Sequence, residues 1–155
     1  METKILDLRV SLTTINIKRF SAALTTYVEE YLDRETACNV RAVLSEVITN
    51  IYEHAYGSTL KAQKDYSCPY DIIVFYNEQK NKLTFRITDY GAGISNIRLA
   101  MSPHTVIVDN ETRLTLGFTI MKALVKNLKV SSTIDSSTII EFEVDTCRGK
   151  NKQNN

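Results

Sequence analysis

The sequence predicts an α+β domain of two layers, in which a mixed, mostly antiparallel sheet carries three main helices on one face. Segments that alternate apolar and polar residues, as β-strands do, occur at the start, in the middle and at the end of the chain. Segments with apolar residues at helical spacing occupy the stretches between them. Two neighbouring strand segments are joined by a short loop, which favours antiparallel pairing. Such elements pack as a helix layer on a sheet layer.

The individual elements follow from local patterns along the chain. Alternating apolar residues from Ile5 to Leu12 predict an opening strand. Apolar residues then recur at helical spacing over 16–32, and again over 36–55. The later elements are predicted strands at 71–76 and 82–88, a third helix at 116–126, and strands at 128–132 and 138–144.

Two stretches lack such patterns and are predicted to be connections. Residues 56–70 contain glycine, serine and proline, which are typical of loops. Residues 91–114 have weak periodicity, and connections of that length are usually functional. We therefore predict a single domain over residues 1–147, followed by a polar, frayed tail at 148–155.

Composition narrows the class of protein. A chain of 155 residues, of which 43% are apolar, is long enough to bury one hydrophobic core. The net charge of +1 favours neither nucleic acid nor an anionic membrane as a partner. The three cysteines form no CxxC pair, which is typical of free thiols in a reducing compartment. The N-terminus is charged too early for a signal peptide and no apolar run reaches membrane-span length, so we expect a cytoplasmic protein.

The second predicted helix carries an acid, an amide and a histidine at intervals of four residues. Glu46, Asn50 and His54 therefore lie along one side of that helix, at the edge of its apolar stripe. A carboxylate there can accept a proton from a hydroxyl group, and an amide oxygen one turn away can complete the oxygen shell of Mg²⁺. The alternative is a solvated helix face, because this spacing of Glu and Asn is common.

Asp89 follows the strand at 82–88 in phase with the apolar side chains of that strand. Its carboxylate should therefore point toward the interior, where it needs a hydrogen-bond donor. Two interpretations are open. The donor is an exocyclic amine such as that of adenine, or the carboxylate caps the turn formed by Gly91 and Gly93. The glycines permit a tight turn and a close approach of the backbone to a ligand.

Gly117 begins the third predicted helix, whose first backbone N–H groups are free to hold an anion. Arg113, four residues earlier, could neutralise a phosphate group. The alternatives are an ordinary glycine at a junction between a loop and a helix, and a solvated arginine. Neither residue identifies a phosphate site by itself.

Taken together and in this order, three segments resemble the N, G1 and G2 boxes of the GHKL ATPase superfamily, whose domains have the Bergerat fold. The segments are 46–55, with Glu, Asn and His-Ala at the intervals described, then 89–94, and then 115–118. The start of the third helix, Gly-Phe-Thr-Ile-Met, is similar to that of the anti-sigma factor serine/threonine-protein kinases of sporulation and stress control. The resemblance covers residues 5–145.

The resemblance implies a role for each matching residue. Glu46 matches the general base that activates the attacking hydroxyl group, and Asn50 matches the ligand of Mg²⁺ that also touches the phosphates. Asp89 matches the acid that binds adenine. The other implied contacts are those of Gly91 and Gly93 beside the base, Gly117 near the phosphates and Thr138 near adenine, with residues 94–114 as the ATP lid.

The function implied by the resemblance is that of an anti-sigma factor with ATP- and Mg²⁺-dependent serine/threonine protein kinase activity. Its substrate would be an anti-anti-sigma partner protein and its second partner a sigma factor, and the family often forms homodimers. The chain departs from the family pattern where Thr115 and Ser137 replace glycines and where the lid lacks a Thr-Lys pair. The alternative, favoured by Thr115 and by the altered lid, is a nucleotide-sensing interaction module with little or no kinase turnover.

Overall fold

The computed structural model describes residues 1–12, 17–57, 68–108 and 111–147, with the backbone alone at 12, 106–108 and 111–114. The strands are β1 (Glu2–Leu12), β2 (Cys68–Asn77), β3 (Lys82–Asp89), β4 (His104–Val108), β5 (Glu111–Thr115), β6 (Lys126–Thr133) and β7 (Ser137–Asp145). The helices are α1 (Ile17–Val28), α2 (Arg34–Asn50), α3 (Ile97–Ala100) and α4 (Gly117–Leu124). A 3₁₀ turn (Glu29–Tyr31) follows α1, and a π-helical turn (Ile51–Ala55) follows α2.

The larger sheet has the strand order β1-β2-β3-β7-β6, and every neighbouring pair of strands in it is antiparallel. The strands β4 and β5 pair separately as a hairpin. In the register of the larger sheet, Asp89 at the end of β3 lies opposite Tyr70 on β2 and Thr138 on β7. The predicted α+β class with its antiparallel sheet is confirmed.

One face of the sheet is buried beneath the helices. Every second side chain along most of β2, β3 and β7 is buried, as the alternation in the sequence predicts. On this face the rings of Phe85 and Phe142 stack with their centroids 4.8 Å apart. Each large apolar side chain contributes about 1.5–3 kcal/mol when it is fully buried. The helices add Leu24, Val28, Val40, Leu44, Val47 and Ile48 to the same core.

The end of α2 differs from the uninterrupted helix predicted over residues 36–55. The α-helix ends at Asn50, and the chain continues as a wider π-helical turn, closed by a hydrogen bond of 3.3 Å from the N–H of Tyr56 to the carbonyl of Ile51. The carbonyl of Ala55 accepts the N–H of Ala92 at 3.1 Å. The contact gives a hydrogen-bond partner to a carbonyl at the end of the helical segment, where carbonyls lack partners within the helix. Because the two residues are far apart in sequence, no local periodicity predicts this contact.

The stretch 91–114 contains more regular structure than its sequence predicts. It includes α3 and the hairpin of β4 and β5, so the prediction of a long connection without regular elements was wrong. The helix α3 has four residues, too few for a helical period, and is capped by the Asn96 side chain, which accepts the N–H of Leu99 at 2.9 Å. Within the described residues, β4 and β5 pair only with each other. Their sequences therefore do not show the alternation of apolar and polar residues that is typical of a strand in a covered sheet.

Two predicted features lie outside the described residues. They are the polar tail at 148–155 and the central part, 58–67, of the loop-like stretch. Among the helices that the structure describes, none combines the length and the apolar character needed to cross a membrane.

Candidate functional site

A cavity of about 360 Å³ opens where the end of α2, the π-helical turn, the end of β3 and the start of α4 come together. This volume is in the range of sites that hold small organic ligands. Five of the residues to which the family resemblance assigns a role line it, and each belongs to a different part of the fold. They are Asn50, Asp89, Gly93, Gly117 and Thr138.

Glu46 is not part of the cavity lining, but its carboxylate lies beside the cavity, against Gly117, the first residue of α4. A Cβ atom built on Gly117 would be 3.2 Å from Oε2 of Glu46 and 3.6 Å from the side-chain amide nitrogen of Asn50. A side chain at position 117 would therefore crowd both groups, and glycine leaves room beside them. Glu46 and Asn50 are both half-buried. The acid, the amide and the start of α4 thus form one cluster.

The start of α4 adds a further feature to this cluster. Leu116, at the capping position, makes no side-chain hydrogen bond to the helix. The first N–H groups of an α-helix have no partner within the helix and carry a partial positive charge. The eight-residue helix α4 therefore begins, with donors suited to an anion, at the cavity and beside Glu46 and Asn50.

Asp89 lies in the wall of the cavity and is only 4% exposed. Its Oδ1 atom accepts the N–H of Gly91 at 3.0 Å, and the N–H of Thr138 also donates to the carboxylate. Burial raises the pKa of Asp89, and these two backbone hydrogen bonds oppose that rise. The side chain therefore caps the glycine turn, as one interpretation of the sequence has it. It also presents to the cavity a buried acceptor that a ligand with an amine would satisfy.

The glycine loop (residues 90–96) is held between two other parts of the chain. A Cβ atom at Gly91 would be 2.4 Å from the carbonyl oxygen of Ala55, so only glycine allows this approach. Gly93 has a φ of +75°, and a Cβ there would be 2.5 Å from the carbonyl oxygen of Thr133. Gly91 is therefore not in the cavity lining but anchors the loop to the π-helical turn, whereas Gly93 lines the cavity.

Thr138 is fixed by a serine that the sequence analysis did not select. The hydroxyl groups of Thr138 and Ser132 are 2.8 Å apart, and the Ser132 oxygen also accepts the N–H of Ile94 at 2.8 Å. Thr138 is only 4% exposed. Ser132 therefore joins β6 and β7 to the glycine loop. No local pattern identifies Ser132, because Ile94 is far from it in the sequence.

The sequence analysis also missed the apolar wall of the cavity. Its residues follow the ordinary periodicity of core positions, which gives no signal that they face a ligand. An apolar lining of this kind suits a heteroaromatic ring. The wall consists of Ile51, Ile94, Phe118 and Ile140.

The remaining predicted residues divide into two groups. His54 and Thr115 line the cavity. The side chain of Arg113 lies outside the described residues, although its backbone forms part of β5. The structure thus brings an acid, an amide and a helix start together at one end, and a buried carboxylate with a threonine in another part of the cavity wall.

Comparison with known proteins agrees with this arrangement. The family model described as histidine kinase-like ATPase domain matches residues 10–142. An anti-sigma F factor from Caldanaerobacter subterraneus subsp. tengcongensis is 31% identical over 126 residues, which are 81% of this chain and 78% of that relative. An anti-sigma F factor from a Thermoanaerobacter species is 30% identical, over 81% of this chain and 78% of that relative. One from Pasteuria penetrans is 26% identical, over 83% of this chain and 77% of that relative. The chain therefore belongs to the histidine kinase-like ATPase family, in the group that contains the anti-sigma F factors.

Proposed function

We propose that this protein is an anti-sigma factor that binds ATP with Mg²⁺ in the cavity and phosphorylates a serine or threonine of an anti-anti-sigma partner protein. The observation that carries the proposal is the clustering of Glu46 and Asn50 against Gly117, with the buried carboxylate of Asp89 in the same cavity. Such a site has donors for phosphate, an acceptor for an amine and a base for a hydroxyl group.

The chemistry of the lining residues determines how the nucleotide lies. The adenine ring would lie against the apolar wall, with its exocyclic amine donating to Asp89 beside Thr138. The phosphates extend toward Gly117, where the N–H groups at the start of α4 attract anions. The side-chain oxygen of Asn50 suits Mg²⁺, which prefers oxygen ligands and takes few of them from protein. The ion would neutralise charge on the phosphate oxygens.

We assign to Glu46 the role of base in phosphoryl transfer, because its carboxylate lies against the helix start proposed to hold the phosphates. The hydroxyl oxygen of the partner attacks the γ-phosphorus while the bond from that phosphorus to the β–γ bridging oxygen breaks. The carboxylate of Glu46 takes the hydroxyl proton, and ADP leaves with the electron pair of the broken bond. The protein contributes mainly position and electrostatics, because the γ-phosphate is already activated.

The names of the relatives support the choice of partners. Because these relatives are anti-sigma F factors, we infer that a sigma factor is one partner of this chain. Phosphorylation of the anti-anti-sigma protein would add charge to the surface that faces the kinase and so weaken that complex. The released protein would then hold the sigma factor. We also propose that it acts as a homodimer in the cytoplasm.

A nucleotide-sensing module with little turnover is the second candidate function. Thr115 favours it, because this branched residue lines the cavity two positions before Gly117. A side chain at that position restricts the backbone and occupies space near the proposed phosphate site. The intact pair of Glu46 and Asn50 favours the kinase. Phosphate transfer to a partner separates the two functions.

Nucleotide binding should raise the melting temperature of the protein. A ligand that binds only the folded state stabilises it by mass action, by about 2.7 kcal/mol at a concentration one hundred times the dissociation constant. Thermal unfolding should be measured with ADP or ATP, each with and without Mg²⁺, and with Mg²⁺ alone as the control. A melting temperature unmoved by millimolar nucleotide with Mg²⁺ would contradict the proposed site. Transfer of labelled phosphate from ATP to an anti-anti-sigma protein then tests the kinase.

Asp89→Asn should weaken the binding of adenine nucleotides by about tenfold to a hundredfold, because one acceptor oxygen facing the amine becomes a donor. Calorimetry with ADP and Mg²⁺ measures this change. Asp71→Asn is the matched control, since Asp71 is a neighbouring carboxylate that pairs with Arg9 and does not line the cavity. Equal affinities of wild type and Asp89→Asn would leave Asp89 only its role as a turn cap.

The same substitution should change how stability depends on pH. Burial raises the pKa of Asp89 in the folded state, so its protonated form favours folding. The stability due to this group is complete below its unfolded pKa and is lost as pH rises through its raised folded pKa. The free energy of unfolding of Asp89→Asn, relative to wild type, should therefore increase as pH rises from about 4, the ordinary pKa of an aspartate, through the raised folded pKa of Asp89. Urea unfolding of the nucleotide-free proteins measures the difference, and a decrease over that range would contradict the assignment.

A further inference from the structure

The side chains that can carry positive charge around the cavity are of one type. Among the described residues that line it, none is a lysine or an arginine. The chain has two histidines, and both of them, His54 and His104, line the cavity. A nucleoside di- or triphosphate carries several negative charges, which favour a nearby cation even when a metal ion is bound. Among these lining side chains, only the histidines gain a positive charge near neutral pH.

His104 is linked to the proposed phosphate site through β5. It is the first residue of β4 and pairs directly with Thr115 of β5, two positions before Gly117. His104 is half-buried, whereas His54 is exposed. A half-buried charge interacts more strongly with an anion than an exposed one, because water screens it less.

The orientation of the His104 ring determines what its protonation does. Its Nδ1 atom is 2.8 Å from the carbonyl oxygen of Ser102. A carbonyl only accepts hydrogen bonds, so Nδ1 carries the hydrogen in this contact. In the neutral ring Nε2 is then an acceptor, which repels phosphate oxygens. The added proton attaches to Nε2, which makes that nitrogen a charged donor.

We propose that protonated His104 binds the phosphate groups of the nucleotide, so that nucleotide affinity increases as pH falls through the range in which histidine gains a proton. This inference rests on the proposed nucleotide site. The other ionisable side chains around the cavity, in the described part of the chain, are His54 of the π-helical turn, Asp89 of β3 and Glu46 of α2. Protonation of the Asp89 carboxylate, whose pKa burial raises, would remove an amine acceptor, but this effect is the same in wild type and in the histidine variants.

Calorimetry with ADP and Mg²⁺ at about pH 6 and pH 8 tests the proposal within the histidine range. The measured quantity is the ratio of the two dissociation constants, compared between wild type, His104→Gln, His104→Lys and His54→Gln. Protonation of the nucleotide itself is the same for all four proteins and cancels in this comparison. Adenosine, which lacks phosphate, serves as the ligand control.

The gain in affinity at the lower pH should be roughly three- to tenfold larger in wild type than in His104→Gln, as expected for a partly exposed charged hydrogen bond. His104→Lys, which keeps its charge at both pH values, should show the same ratio of dissociation constants as His104→Gln. His54→Gln should keep the wild-type ratio, and adenosine should bind with the same ratio to all the proteins.

Three results would overturn the inference while leaving the nucleotide site in place. The first is the same ratio of dissociation constants in wild type and in His104→Gln. The second is a ratio in His54→Gln that falls below that of wild type. The third is weaker ADP binding at pH 8 by His104→Lys than by His104→Gln, when both variants have the circular dichroism of wild type. If wild type binds no ADP at either pH, the proposed function itself fails, and the inference fails with it.

Discussion

Glu46→Gln should lower phosphoryl transfer to the partner protein by about 10²–10⁴-fold, the usual contribution of a positioned acid or base, and should leave ATP bound. Glutamine keeps the size and helix propensity of glutamate but cannot take the proton of the attacking hydroxyl group. The carboxylate oxygen lies against the start of α4, where a Cβ on Gly117 would be 3.2 Å from it. The substitution therefore changes the chemistry at this end of the cavity with little change in shape.

Asn50→Ala provides the contrast to this result. It removes a side-chain oxygen suited to Mg²⁺, so both nucleotide binding and phosphate transfer should decrease. Calorimetry with ATP analogues and phosphate incorporation into the partner should be measured for both variants. Full activity of Glu46→Gln would exclude its carboxylate from the reaction. Tight ATP binding by wild type without phosphate transfer to any anti-anti-sigma partner would favour the nucleotide-sensing module.

Gly91→Ala should lower the free energy of unfolding by about 3 kcal/mol, a large effect for the addition of one methyl group. The new Cβ atom would be 2.4 Å from the carbonyl oxygen of Ala55 and 2.6 Å from its Cβ atom. Backbone atoms cannot move aside as the end of a flexible side chain can. The glycine loop must therefore separate from the π-helical turn, which breaks the hydrogen bond from the N–H of Ala92 to Ala55.

Nucleotide affinity should decrease in the same variant, because the N–H of Gly91 also donates to the buried carboxylate of Asp89. Gly57→Ala is the matched control. A Cβ there would have as its nearest neighbour the carbonyl oxygen of Tyr52 at 3.8 Å, which is an ordinary contact. Urea unfolding and calorimetry with ADP should be measured for both variants. Equal stability and affinity of Gly91→Ala and Gly57→Ala would show that the tight approach of the loop to the turn is not needed.

The cavity depends on contacts between parts of the chain that are distant in sequence. The hydroxyl group of Tyr56, after the π-helical turn, donates to the carbonyl of Pro69 and accepts the N–H of Tyr90. It therefore ties the end of the second helical segment to β2 and to the glycine loop. Tyr56 is 4% exposed, so these hydrogen bonds are shielded from water. The position of Asp89 next to the cavity thus depends on a core residue outside the three matching segments.

Much of the architecture could be predicted from the sequence because it depends on short-range patterns. The alternation in β2, β3 and β7 predicts which side chains are buried, and it predicts correctly that Asp89 faces the interior. The order of the segments around Glu46, Asp89 and Gly117 predicts the family, which the comparisons confirm. The roles of the individual site residues stay predictions.

Only the tertiary structure decided how these segments meet. The hydrogen bond between Ile94 and Ser132 spans 38 residues, and neither residue carries a local signal for it. The same is true of the contact between Gly91 and Ala55, and of His104, which reaches the cavity because a hairpin pairs it with Thr115. Periodicity reports which side of an element is apolar, since that depends on residues a few positions apart. Which groups of two distant elements touch depends on how the elements pack, and this information is distributed over the whole chain.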